Sequence, residues 1–332
     1  MASAVELSSP PLRAGGARLR GIRAFLQRWS LPLAFLVVVA VFSAARPDAF
    51  LAWSNVRAIL DEASVLVVVG SGITVVLLMG EFDLSIGSVL GASSAAAVVA
   101  MSSHGAPTLL AVLIGVGVGA GVGVGNGICV ARLGIPSFIA TLAVGSLALG
   151  LELALAETTI AQGLHSGYLG IATSEVVGLP LPVVIAACVA VLTAILLRLT
   201  VFGRYVTAVG DNPAAARLAG VPTVSVRLLG FTLAGALTGL GGVLLSARAA
   251  SYYPNSGVGL LLPAYAAAFL GLSLGRGWRF NVLGTTLGVL LLGTVTTGLT
   301  MLNQPPWTTA VVNGAILLVA VVALSRQTRE AL

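Results

Sequence analysis

Two carboxylates stand two residues apart in Gly80-Glu81-Phe82-Asp83-Leu84-Ser85-Ile86-Gly87-Ser88, and long apolar runs flank them on both sides. Charged groups at membrane depth are costly and tend to mark a functional point or a water-filled cavity. Glu81, Asp83, Ser85 and Ser88 are therefore candidates for the lining of a solute pathway or its gate. The plainer alternative is a cytoplasmic turn in which Asp83 or Ser85 caps the following helix. The residues alone leave both open, and residues 80–84 are equally compatible with a tight loop and with a break inside the membrane. A third carboxylate, Glu152, lies in a later apolar run. An interfacial position near the outer end explains it better than a proton relay, because no second carboxylate lies mid-span.

Other chemistry is narrowed by what the chain contains. All 17 basic residues are arginine. The phosphate-binding loop of P-loop ATPases requires a lysine, so ATP hydrolysis of that kind must come from another polypeptide. Cys129 and Cys188 lack CxxC spacing and read as small buried hydrophobes. His104 and His165 are isolated in loops, so no metal site is expected. The run from Gly115 to Gly127 has glycine at every second position. Even spacing forbids the GxGxxG pattern of a dinucleotide site. Gly115, Gly119, Gly123 and Gly127 instead share one helix face, which is the arrangement for close helix packing.

The elements that carry these residues follow from composition. The chain is 58% hydrophobic and 8% charged, whereas a soluble domain carries about 25% charged residues. Most of its surface must face lipid. A crossing helix needs about 20 mostly apolar residues. The sequence divides into ten such runs, near 31–45, 60–79, 85–101, 108–130, 137–156, 181–198, 228–247, 260–274, 281–301 and 307–324. With the N-terminus inside, fourteen arginines fall on the cytoplasmic side, Arg13, Arg276 and Arg279 among them; only Arg46, Arg57 and Arg248 fall outside. That bias obeys the positive-inside rule. The fold expected is an all-α, polytopic transmembrane bundle of about ten spans with both termini cytoplasmic. Residues 1–30 read as a basic cytoplasmic tail, a disordered arm on anionic membrane lipid. Residues 31–325 read as a single transmembrane domain and 326–332 as a cytoplasmic C-terminal tail. The spread of the arginines beside apolar runs argues against a nucleic-acid partner.

One cytoplasmic connection has the grammar of a helix. Asp211 or Asn212 can cap it, Pro213 suits its first turn, Ala214, Ala215, Ala216 and Arg217 favour it, and Gly220 ends it.

Four stretches occur together in order: residues 80–88; Asn126-Gly127 with Ile135-Pro-Ser-Phe-Ile-Ala-Thr-Leu142; Phe202-Gly-Arg-Tyr205 with Gly210-Asp-Asn-Pro-Ala-Ala-Ala-Arg-Leu-Ala-Gly220; and Phe280-Asn-Val-Leu-Gly-Thr285 with Gly298-Leu299. In these the chain resembles permease subunits of the ribose/xylose/galactose class of bacterial ATP-binding-cassette importers, a superfamily shared with branched-chain amino-acid permeases. The resemblance implies a multi-pass protein of the bacterial inner membrane that translocates a small sugar-like solute and is not itself an enzyme. Its implied partners are an ABC ATPase, which holds the ATP and Mg, an extracytoplasmic solute-binding protein, and a second permease copy or homologue. No cofactor is implied on this chain, and residues 212–220 become the coupling helix to the ATPase. The chain departs from the pattern in Leu270-Gly-Leu-Ser-Leu-Gly-Arg-Gly-Trp-Arg279 and at Asn313, which bears on the identity of the solute. Rival solutes are a nucleoside, a polyol, a branched-chain amino acid or a signalling furanose. The rival of another class is an ion-coupled secondary carrier, which the lack of paired mid-span charges disfavours.

Overall fold

A computed structural model describes residues 15–274 and 279–330; the expectations placed on Arg13 and Arg276 lie outside the described residues. The chain is built of helices: α1 (Gly15–Ala45), α2 (Trp53–Leu78), α3 (Ile86–Ser102), α4 (Thr108–Ala131), α5 (Ser137–Leu155), α6 (Ser166–Thr173), α7 (Leu181–Leu199), α8 (Val201–Asp211), α9 (Pro213–Leu218), α10 (Thr223–Ala249), α11 (Leu261–Leu270), α12 (Val282–Met301) and α13 (Pro306–Glu330). Short 3₁₀ turns precede and follow α11. Among the described residues two short strands form a hairpin, Glu175–Val176 (β1) against Leu179–Pro180 (β2). Its turn residues Val177 and Gly178 both have positive φ, as a tight two-residue hairpin requires.

Prolines set several helix starts. Pro107, Pro136, Pro180 and Pro222 each stand immediately before a helix, at the heads of α4, α5, α7 and α10. Proline has no N–H to leave unpaired there, and it biases the residue before it away from the helical region. Six helices among the described residues are long and apolar enough to cross a membrane: α2, α4, α5, α7, α10 and α12. Four shorter apolar segments accompany them: Trp29–Ala45, Ile86–Ser102, Val258–Leu274 and Pro306–Val319.

α2 is the central helix, buried along most of its apolar length and packed by α10, α12, α7 and α11. Apolar side chains all round are what such a position demands. Its register to α12 is marked by a hydrogen bond of 2.8 Å between the hydroxyls of Thr74 and Thr285. α4 lies against α10 at backbone distance. A Cβ on Gly119 or Gly123 would overlap the carbonyl oxygens of Gly235 or Phe231, and one on Gly127 would sit 2.9 Å from the Leu228 Cα. Gly117 and Gly121, on the neighbouring stripe, face open space. The outer faces of α4, α5 and α7 leave Leu113, Leu147 and Leu192 exposed, a surface that suits lipid and not water.

Several expectations need correction. α1 begins at Gly15, so residues 15–30 continue a helix and are not a disordered arm, and α13 runs on through the expected C-terminal tail to Glu330. Between the apolar runs, residues 157–180 hold α6 and the hairpin, and residues 199–227 hold α8 in addition to the expected helix, α9. Cys188 is exposed on the apolar surface of α7 and Cys129 is half-buried; neither is a core residue.

Candidate functional site at the helix breaks

The chain between α2 and α3 is non-helical, and most of it is inside the bundle. Glu81, Asp83 and Ser85 are buried, while Gly80 and Phe82 are exposed. Gly80 takes φ +74 to turn the chain at the end of α2. Three consecutive backbone N–H groups then find side chains of other helices. Phe82 N donates to Ser137 Oγ (3.1 Å), Asp83 N to the Tyr265 hydroxyl (2.8 Å) and Leu84 N to Thr141 Oγ1 (2.9 Å). Tyr265 in turn donates to the Asp83 carbonyl at 3.0 Å. Buried backbone groups must be paired, and here α5 and α11 supply partners that the broken helix cannot.

The side chains form a second tier. Asp83 Oδ1 accepts from Ser85 N (2.9 Å), from the Ser85 hydroxyl and, at 3.4 Å, from Asn126 Nδ2. Asn126 Nδ2 also donates to Ser85 Oγ at 2.8 Å. Ser85 therefore does not cap α3 with its side chain; it and its N–H are both held by Asp83. Gly145 of α5 lets this group close, since a Cβ there would lie 3.0 Å from the Ser85 Cα. Glu81 faces α10, where Arg227 Nε lies 3.0 Å from its Oε1. This is an ion pair by distance; the Nε–H is not aimed along a hydrogen bond. Ser88, half-buried one turn into α3, is not part of the cluster.

A second interruption precedes α11. Residues 251–257 connect α10 to the short segment Val258–Leu274, and they start at a backbone pairing of Tyr252 with Ile160. The two interruptions touch: a Cβ on Gly87 would lie 3.1 Å from the Val258 Cα, and one on Gly257 would overlap the Gly87 carbonyl. Glu152 belongs here. Its side chain is completely buried within the chain, one turn from the end of α5. Its Oε1 accepts from Asn255 N at 2.8 Å and from the Tyr252 hydroxyl at 3.2 Å. Of the residues that make both sites work, Asn126 lay in one of the stretches that carry the resemblance; Tyr265, Arg227, Tyr252 and Asn255 carried no signal for these sites beyond being polar groups in or beside apolar runs.

The first break abuts the α8–α9 region. A Cβ on Gly210 would overlap the Leu78 carbonyl at the end of α2. Asn212 caps α9 through its Oδ1, which accepts from Ala214 N (3.1 Å) and Ala215 N (3.0 Å). Asp211 instead pairs with Arg279 at 2.8 Å. Gly220 ends the turn at φ +82. Pro213, Ala214, Ala215 and Arg217 are exposed, but Ala216 is buried against Val206, Val209 and Val226 of the same chain. Ala216 is thus turned into its own chain. The apolar residue offered outward is Leu218, 92% exposed.

These features define a multi-pass membrane protein with broken helices and a short capped helix beside one break. Residues 55–321 match the family described as branched-chain amino acid transport system / permease component, and the chain belongs to it. It is 35% identical to the ribose import permease protein of Bacillus subtilis (strain 168), over 87% of this chain and 90% of that one. It is 32% identical to the L-arabinose ABC transporter permease protein of Azospirillum brasilense, over 94% and 92%. It is 30% identical to the D-allose transport system permease protein of Escherichia coli (strain K12), over 87% and 89%. The resemblance to sugar permeases holds over nearly the whole chain. No solved structure matches it.

Proposed function

We propose that this chain is the translocating subunit of an ATP-driven importer that carries a small sugar into the bacterial cytoplasm through the inner membrane. The observation that carries the reading is the buried break at residues 79–85, stapled by side chains of α5 and α11 and seated directly on Gly210 beside α9. Irregular backbone at membrane depth is tolerated where it is buried in protein or lines a cavity. A break of this kind is where a bundle can change between two arrangements. The six long and four shorter apolar helices would make ten spans, and the arginine distribution would put both termini and α9 on the cytoplasmic side.

In this reading α9 is the coupling helix. An ABC ATPase, which holds the ATP and Mg, grips Ala215, Arg217 and Leu218, and its closure moves α8, α9 and the first break together. Two permease chains form the passage, and a solute-binding protein loads it from outside. The named solutes of the relatives, ribose, arabinose and allose, support a pentose or hexose. The chain itself makes and breaks no bonds; selectivity and gating are its work.

The test is reconstitution of the chain with its ATPase in proteoliposomes holding ATP, with the binding protein outside. Uptake of radiolabelled ribose, arabinose, allose or xylose that requires both ATP and binding protein is the expected result. Uptake driven by a proton or sodium gradient without ATP would assign the chain to the secondary carriers instead.

A further inference from the structure

Glu152 is an expensive residue for its place. It sits four turns into α5, wholly buried, and its second oxygen, Oε2, has no hydrogen-bond partner in the chain. Buried charges are normally paired, and buried polar atoms normally satisfied. The surrounding backbone is shaped around it. A Cβ on Gly91 of α3 would overlap the carboxylate, so only glycine leaves it room. Oε1 accepts from Asn255 N at 2.8 Å and from the Tyr252 hydroxyl at 3.2 Å, and that hydroxyl lies 3.0 Å from the Ala156 carbonyl. Asn255 has φ +61, in the left-handed region that asparagine adopts more readily than most residues with a Cβ. Ser256 Oγ, the next residue's hydroxyl, is also buried without a partner. Gly257 then packs on Gly87, with its Cβ position 3.1 Å from Gly91 N.

α5 starts at the first break, where Ser137 meets Phe82, and ends about 27 Å away at 1.5 Å per residue. Residues 251–257 therefore run inward from the end of the bundle opposite α9 to a half-length helix that starts inside it. An irregular segment at one end of the bundle, with unpartnered buried oxygens on it and beside it, has the properties of a closure that can open.

We infer that Glu152 is a positioning residue that latches residues 251–257 shut, making this segment the gate at the end of the bundle opposite the ATPase. The inference rests on the importer reading for which side is outside, but the latch itself is a property of the chain. When the latch holds, the Asn255 N–H and the Tyr252 hydroxyl fix the start of Val258–Leu274 against Gly87 and Gly91. When it releases, the segment can swing away and the carboxylate becomes accessible.

The experiment uses the full chain assembled with its ATPase in proteoliposomes, with Cys129 and Cys188 replaced by serine and Ser256→Cys as reporter. Labelling by an impermeant maleimide added outside is timed with and without a non-hydrolysable ATP analogue. The parent should label at rates that differ between the two nucleotide states. Glu152→Ala should label about tenfold faster in the slow state, the scale expected for loss of a hydrogen bond to a charged group, and should lose the nucleotide dependence. Glu152→Gln, which keeps an acceptor, should fall between. Gly91→Ala, which displaces the carboxylate without removing it, should resemble Glu152→Ala. A merely structural role would lower yield without changing the labelling of the molecules that assemble. Equal rates in parent, Glu152→Ala and Gly91→Ala overturn the latch; rates that ignore nucleotide in the parent, with both variants still faster, overturn the ATP-driven reading and leave the latch. If labelling behaves as expected while no sugar is imported, the importer reading fails and the latch stands.

Discussion

The Tyr265 hydroxyl closes both backbone groups of Asp83, accepting from its N–H at 2.8 Å and donating to its carbonyl at 3.0 Å. One side chain on α11 thus does for a broken helix what the next helical turn would have done. Tyr265→Phe leaves both groups buried and unpaired, at a cost of about 1–3 kcal/mol for each donor or acceptor left unsatisfied. A lowered melting temperature in detergent, with normal membrane insertion, is the expected outcome; an unchanged melting temperature would mean that the break does not depend on this clamp.

Asp83 organises the same break from the side-chain tier. Asp83→Asn keeps one acceptor for the Ser85 N–H, whereas Asp83→Ala keeps none. Uptake is expected to fall in both, with assembly retained in Asp83→Asn and weakened in Asp83→Ala. Uptake assays beside co-purification of the ATPase separate the two effects, and normal uptake by Asp83→Asn would remove the charge from the mechanism.

The α4–α10 contact admits a matched pair of tests. Gly119→Leu and Gly123→Leu force a side chain into the α10 backbone and should abolish stable protein. Gly117→Ala and Gly121→Ala, with nothing within 4 Å of the added Cβ, should express like the parent. Equal behaviour of the two pairs would contradict the packing.

On α9 the outcomes divide by burial. Leu218→Glu and Ala215→Glu alter exposed positions and should reduce ATPase co-purification and binding-protein-stimulated hydrolysis while the chain stays stable. Ala216→Glu should destabilise the chain itself, because a carboxylate would enter the cluster with Val206, Val209 and Val226. Gly220→Val should cost about 1–2 kcal/mol, the penalty for a side chain at left-handed φ, seen as a lower melting temperature.

Membrane sidedness is tested by single cysteines. Ser166→Cys at the head of α6 should react with an impermeant reagent from outside, and Asn212→Cys should react only after the membrane is opened. Labelling of both from the same side would reverse or break the ten-span arrangement.

Local chemistry made much of this legible from the residues. A helix boundary is decided within about four residues by caps, prolines and glycines, so a cap at Asp211 or Asn212, the Pro213 start and the Gly220 stop could be read directly, as could the glycine face of α4; the structure chose Asn212. The bounds of α4, α5 and α7 followed from the extent of their apolar runs. Burial was not legible for a physical reason: the bundle interior and the lipid are both apolar, so hydrophobicity alone cannot tell a core face from a lipid-facing one. Cys188 therefore read as buried, and nothing in the sequence marked Ala216 as the buried residue of its helix. The polar partnerships depend on register between helices distant in the chain. Tyr265 meets Asp83 across 182 positions and Asn255 meets Glu152 across 103. No local pattern encodes such a distance. Sequence alone determined that carboxylates lie among apolar spans; the tertiary structure decided which of them hold a break closed, because only packing brings their partners within reach.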